Sequence, residues 1–155
     1  MPNMTQWDAA WNSEGTVLTT QLDGLATSNA SALGTTVIAN DSSLDQYFAA
    51  VLYPGASLTP GAGAPYAALY AVPAIDGTNY ADNFVAGSAS EILPPGYLCG
   101  IFTMPASTAG RHRCACGPFL LGPGKYKFFL HSELGASLAA NTNIVTLYSC
   151  NDELQ

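Results

Sequence analysis

The sequence predicts an all-β chain: a single-domain antiparallel β-sandwich, jelly-roll-like, over residues 16–155, with a short N-terminal arm over residues 1–15. Three observations predict it. Short segments rich in β-branched and aromatic residues follow one another along the chain, separated by clusters of Gly, Pro, Asn, Asp and Ser. That spacing suits a sandwich, jelly roll or barrel. Helix signals are scarce. The length, 155 residues, suits one domain. Such a chain buries roughly 68–70% of its unfolded surface and needs no metal or disulfide staple.

The elements follow in order. "TQWDAAWNSE" is expected to form a short helical turn, with Trp7 and Trp11 at i, i+4. Two tryptophans in a short uncapped element cannot make a core alone. The arm is therefore expected to pack against a neighbour, and Trp7 and Trp11 are candidate partner-binding residues. The strand candidates are "TVLTTQL", "TTVIAN", "QYFAAVLY", "YAALYAVPA", "YLCGIFTM", "RHRCAC", "KYKFFLH" and "NIVTLYSC". "LATSNASALG" and "ASLTPGAGAP" are of low complexity and read as loops. No domain boundary interrupts the pattern, and no repeat of solenoid length is present.

Composition narrows the function. Apolar residues make up 48% of the chain and charged residues 10%, where about 25% charged is usual for soluble domains. With 8 Tyr, 6 Phe and 2 Trp, such a chain is expected to cover part of its surface with partners. The net charge of −7 speaks against nucleic acid, whose phosphates need basic residues, and against an anionic membrane. No apolar run reaches the length of a membrane span. The opening "MPNMTQWDAAWNSEG" lacks a basic region followed by an apolar one. Synthesis in a reducing cytosol is therefore expected, with Cys99, Cys114, Cys116 and Cys150 as thiols.

The stretch "RHRCACGPF" concentrates the polar chemistry. In a strand, alternate residues share a face. Arg111, Arg113 and Ala115 would lie on one side, and His112, Cys114 and Cys116 on the other. In "KYKFFL", Lys125 and Lys127 would oppose Tyr126, Phe128 and Leu130. Arg111, Arg113, Lys125 and Lys127 are all the Lys and Arg of the chain. If the two segments are neighbours, they form one basic patch. It reads either as a solvated strand face or as a docking patch for an acidic neighbour, such as another copy of this acidic protein. His-x-Cys-x-Cys offers soft metal ligands, but ligands two apart on a strand diverge, and core packing is the expected role. Cys114 and Cys116 stand too far apart in an extended strand, about 7 Å, to bond each other. Cys99 could meet either one across strands.

No catalytic motif emerges. There is no G-x-S-x-G, no H-E-x-x-H and no phosphate loop ending in Lys-Ser/Thr. His131, Ser132 and Glu133 in "FFLHSELG" read as a turn at a strand end. "IDGTNYADN" offers Asp76, Asn79, Asp82 and Asn83 as oxygen ligands. It lacks EF-hand spacing, and it reads first as a turn and second as a calcium or sugar contact. No catalytic residue, metal or cofactor is expected.

The order "LYAVPAIDGTNYADN", "LPPGYLCGIFTM" and "GPGKYKFFLHSELGASLAANTNIVTLYS" resembles a group of small structural proteins of tailed-bacteriophage virions. There an "LYLLP"-type strand runs into an Asp-Gly-Thr-Asn-Tyr loop. A late "PG-K/F-K-F" strand then precedes a "G-ALAA-NT" turn and a closing strand. The match covers roughly residues 65–149, and "RHRCAC" departs from it. The resemblance implies a β-sandwich that decorates or cements a phage head, made in the host cytoplasm and carried on the virion. It implies the major capsid protein or another virion protein as partner, and a homotrimer by analogy with threefold sites. A tail- or fibre-associated module is the alternative, with carbohydrate binding through Tyr66, Tyr70, Tyr80 or Tyr97.

Overall fold

The protein is described from a computed structural model covering residues 5–7, 11–42, 44–81, 86–87 and 93–154. Its strands are β1 (Thr5–Trp7), β2 (Asn12–Leu18), β3 (Asn29–Ala30), β4 (Ile38–Ala39), β5 (Tyr47–Tyr53), β6 (Tyr66–Pro73), β7 (Leu98–Thr103), β8 (Cys114–Leu120), β9 (Lys125–Glu133), β10 (Ile144–Cys150) and β11 (Asp152–Leu154). Two antiparallel sheets pack face to face as a β-sandwich. One has the order β2-β10-β5-β8; the other has β3-β9-β6-β7, with β4 also pairing β9. The chain changes sheet at most of its connections, and the edge strands β7 and β8 meet along one side.

Period-2 alternation builds the core. Phe48 and Leu52 of β5, Leu69 of β6, Phe102 of β7, Phe128 and Leu130 of β9, and Val145 and Leu147 of β10 all point between the sheets and are buried. The rings of Phe48 and Phe119 stack at 6.3 Å across β5 and β8. Each such side chain contributes about 1.5–3 kcal/mol through burial.

A second cluster lies on the outer face of the five-stranded sheet. Ala68, Tyr70 and Val72 of β6 and Phe129 of β9 are buried there, beneath Leu33, Tyr80, Leu93 and Tyr97. Tyr70 stacks on Phe129 at 4.7 Å. With both faces covered, β6 reads "YAALYAVP" with no polar alternation beyond its first tyrosine.

Glycine matters where β8 crosses β5. Gly117 has φ +116, and a Cβ there would stand 2.9 Å from the Ala49 Cα. The peptide between Gly117 and Pro118 is cis.

Three local expectations change. Among the described residues the N-terminus shows strand and no helical turn, and residues 8–10 of the expected turn lie outside them. Thr5–Trp7 form β1, which pairs with β11 of the same chain, and β2 begins at Asn12. Asn12, Ser13 and Gly15 pair with β10, so the sandwich takes in part of the expected 1–15 arm. Backbone pairing overrides the i, i+4 spacing because β11 offers a ladder to residues 5–7 and β10 one to residues 12–18. The strand in "RHRCAC" starts at Cys114, not Arg111. His131, Ser132 and Glu133 lie inside β9, where they pair with β6 and β3 instead of turning.

Candidate functional site

The two outer faces of the sandwich differ. The face of the five-stranded sheet is roofed by the chain's own loops. No such cluster covers the face of β2-β10-β5-β8 among the described residues. Inward residues of β5 alternate with Tyr47, Ala49, Val51 and Tyr53, which are only half-buried. Register then extends the outward row: Tyr53 faces Ile144, Val51 faces Thr146 and Ala115, Ala49 faces Tyr148, and Tyr47 faces Leu120. Leu120 is 71% exposed. Between its two ends this face carries no charged side chain among the described residues; Glu14 turns aside to accept a hydrogen bond from Ser149 Oγ at 2.6 Å.

One end of the face is basic. The Arg111 guanidinium carbon lies 4.6 Å from the Tyr53 ring centroid and that of Arg113 lies 5.2 Å from it. Arg111 Nε also donates to Pro54 O at 3.3 Å. Both side chains are exposed, and among the described residues neither meets a carboxylate. In a chain with 11 Asp and Glu, two arginines held on one aromatic ring without an acid are a directed positive charge.

The other end is a groove of about 490 Å³, lined by Leu44, Asp45, Tyr47, Leu120 and Pro123 among others. Leu44 is exposed at its rim. Asn40 shapes the groove from beneath. Its Nδ2 donates to Leu121 O at 3.0 Å and to Asp45 O at 2.9 Å. Asp45 Oδ1 accepts from Asn151 Nδ2 at 2.6 Å, so its carboxylate is fixed at this end. A second groove, of about 280 Å³, shares Leu120 and runs to Tyr97, Cys99 and Tyr126.

The single basic patch does not form. Arg111 and Arg113 precede β8 in the four-stranded sheet, whereas Lys125 and Lys127 open β9 in the other. The connection at residues 121–124 crosses between sheets. β8 lies between the two pairs, so they sit at opposite ends, on opposite outer faces. Lys127 Nζ lies 4.6 Å from the Tyr80 ring centroid. Lys125 is half-buried beside β4.

The other candidates separate as well. Cys114 and Cys116 are buried as alternation predicts, but His112 is not on their face: its Nε2 lies 2.9 Å from Thr108 O in the preceding turn. No disulfide joins Cys99, Cys114, Cys116 or Cys150. Burial pushes the Cys99 thiol up to about 12, with Cys116 beside it adding to the effect. Burial likewise pushes Cys116 up to about 12. Among the described residues no three His, Cys, Asp or Glu converge. His131 Nε2 and Glu133 Oε1 are 3.8 Å apart on one face of β9, while Ser132 is buried on the other. Asp76 holds a turn, accepting from the Asn79 and Thr78 backbone N–H groups at 2.7 and 2.9 Å. Those bonds, the one from Asn79 first, hold its carboxyl below the usual range. Asp82 and Asn83 lie outside the described residues. Of the tyrosines, Tyr70 is buried, Tyr80 is half-buried under Lys127, Tyr97 is half-buried and Tyr66 is exposed, so they form no common platform. Trp11 is 43% exposed just before β2.

Sequence reasoning passed over Tyr47, Tyr53, Asp45 and Leu120. The signal was present in "QYFAAVLY", whose alternate residues are all uncharged. Comparison with family models, with curated proteins and with solved structures returns no match.

Proposed function

We propose that the chain is a non-enzymatic virion structural protein, a capsid decoration or cement protein that binds the outer surface of a phage head and stabilises it. The observation that carries this reading is the uncharged outer face of the four-stranded sheet, set beside a face that the chain's own loops cover. A sheet face that among the described residues is uncovered and charged only at its ends suits an assembly surface. The motif order over residues 65–149 points the same way. The strand orders β2-β10-β5-β8 and β3-β9-β6-β7, with most connections crossing between sheets, support a jelly-roll wrap. The partners in this reading are the major capsid protein or another virion protein, together with further copies of the chain.

The test is direct. Purified protein is mixed with heads that lack it and imaged by cryo-electron microscopy. Ordered density on the outer shell, with heads surviving heat or low salt better than bare ones, is the expected result. Heads that stay bare at saturating protein overturn the proposal.

A further inference from the structure

We infer that the outer face of the four-stranded sheet is occupied by a second copy of this chain, laid face to face with its strands running the opposite way. This deepens the assembly-surface reading above by naming the occupant, and rests on that reading of the face, but it does not require the shell.

The charge layout selects the occupant. Arg111 and Arg113 stand at the Tyr53 end of β5. Asp45 stands at the Tyr47 end, with Asp41 exposed in the turn before it. About 20 Å of uncharged strand separates the ends, at ~3.3 Å per residue. A twofold axis in the plane between two such faces, running across the strands, reverses the strand direction. It places the arginines of each copy over the Asp41–Asp45 end of the other. Every contact then occurs twice, as isologous pairing requires. Pairing with strands running the same way would stack like charge on like charge, which is costly.

The remaining features fit the same occupant. A chain of net charge −7 repels its own copies unless its few cations meet acids. Here two arginines that meet no carboxylate among the described residues would meet one in each partner. Between the ends, Val51, Ala49 and Thr146 form a low surface on which a second identical sheet can lie. Leu120 and Leu44 rim the groove at the acidic end. Strand spacing and rise make the face about 19 by 23 Å. A pair buries on the order of 900 Å² before side-chain relief is counted, close to the ~1,000 Å² a specific interface needs. For this face, then, the charge layout closes a pair rather than the threefold ring implied by the resemblance.

The experiment is sedimentation equilibrium on the full chain, with circular dichroism melts to confirm that each variant folds. The wild-type protein is expected to weigh twice the chain mass by about 100 µM, a range set by a modest interface. Arg111→Glu with Arg113→Glu, and separately Asp41→Lys with Asp45→Lys, should each weaken pairing at least tenfold, about 1.4 kcal/mol. An equimolar mixture of the two variants should pair again, because each contact then joins opposite charges. Should Asp45→Lys unfold through the lost bond to Asn151, Val51→Lys at the centre of the face replaces it and must abolish pairing. A wild-type monomer at about 100 µM, a trimer indifferent to these changes, or folded variants whose mixture stays monomeric overturns the inference. Protein that pairs in solution but leaves heads bare overturns the proposed function alone. Protein that decorates heads as unpaired chains overturns the pairing alone.

Discussion

The Asn40 side-chain amide brackets the backbone of Asp45: Asn40 Nδ2 donates to Asp45 O at 2.9 Å, and the Asp45 N–H donates to Asn40 Oδ1 at 2.7 Å. The same Nδ2 reaches Leu121 O, so one buried amide ties the approach to β5 to the end of β8. Asn40→Ala leaves buried backbone groups without partners, at about 1–3 kcal/mol for each group that water cannot reach. Urea unfolding should show a loss of about 2–4 kcal/mol with an unchanged m-value. A loss below about 0.5 kcal/mol would place these bonds in water's reach.

Arg111→Ala with Arg113→Ala should leave the domain folded. Each guanidinium is exposed and lies over the Tyr53 ring, and cation–π contacts at exposed sites are worth about 0.5–1 kcal/mol. The double variant should lose about 1–2 kcal/mol in thermal or urea unfolding. Cys114→Ala with Cys116→Ala removes atoms from the core and should lose at least as much. An arginine pair that proves essential for folding, beside a silent cysteine pair, would reverse the faces described above.

Gly117→Ala should be among the most damaging single-methyl changes in the chain. Its φ of +116 disfavours any L side chain, and the added Cβ meets Ala49 and Phe48 backbone atoms at 2.9 Å. Backbone cannot swing aside as a side chain can. A loss of more than about 2 kcal/mol is expected. Gly96→Ala, with open space around it and no positive φ, is the control and should change little.

Stability should fall in alkali. Cys99 and Cys116 ionise at about 12 in the fold, against 9.0 for an ordinary thiol. The folded pKa is raised, so the contribution is fully present below about 9 and is lost as pH rises toward 12. In that window the unfolded chain has released protons that the folded chain retains, so the slope of unfolding free energy with pH is negative. Tyr70 and Tyr126, raised mainly by burial, add to the same slope. Urea midpoints measured between about pH 8 and pH 11 should decline, and Cys99→Ala with Cys116→Ala should make the decline shallower. An identical slope in that variant would mean that water reaches both thiols.

Much of the fold was legible because strand alternation is local. "KYKFFLH" places Tyr126, Phe128 and Leu130 on the core side from its own period, and "QYFAAVLY" does the same for Phe48 and Leu52. The strand-rich β-sandwich follows from many such segments. The candidate site was half legible. Arg111 and Arg113 were singled out by composition, whereas Tyr53, which holds them, lies in a strand distant in sequence.

Residue order settles which side chains share a face of one strand, because successive side chains point to opposite sides of a pleated backbone. It settles the shortage of charge and the buried state of Cys114 and Cys116. Which strand lies beside which was decided by the fold, since ladder bonds join backbones that carry no label of their partner. Segments adjacent in sequence, "RHRCAC" and "KYKFFL", separated into different sheets because residues 121–124 cross the sandwich. Segments far apart, β2 and β10, became neighbours and drew residues 12–15 out of the arm. The face with arginines at one end and Asp45 at the other exists only once those pairings are made.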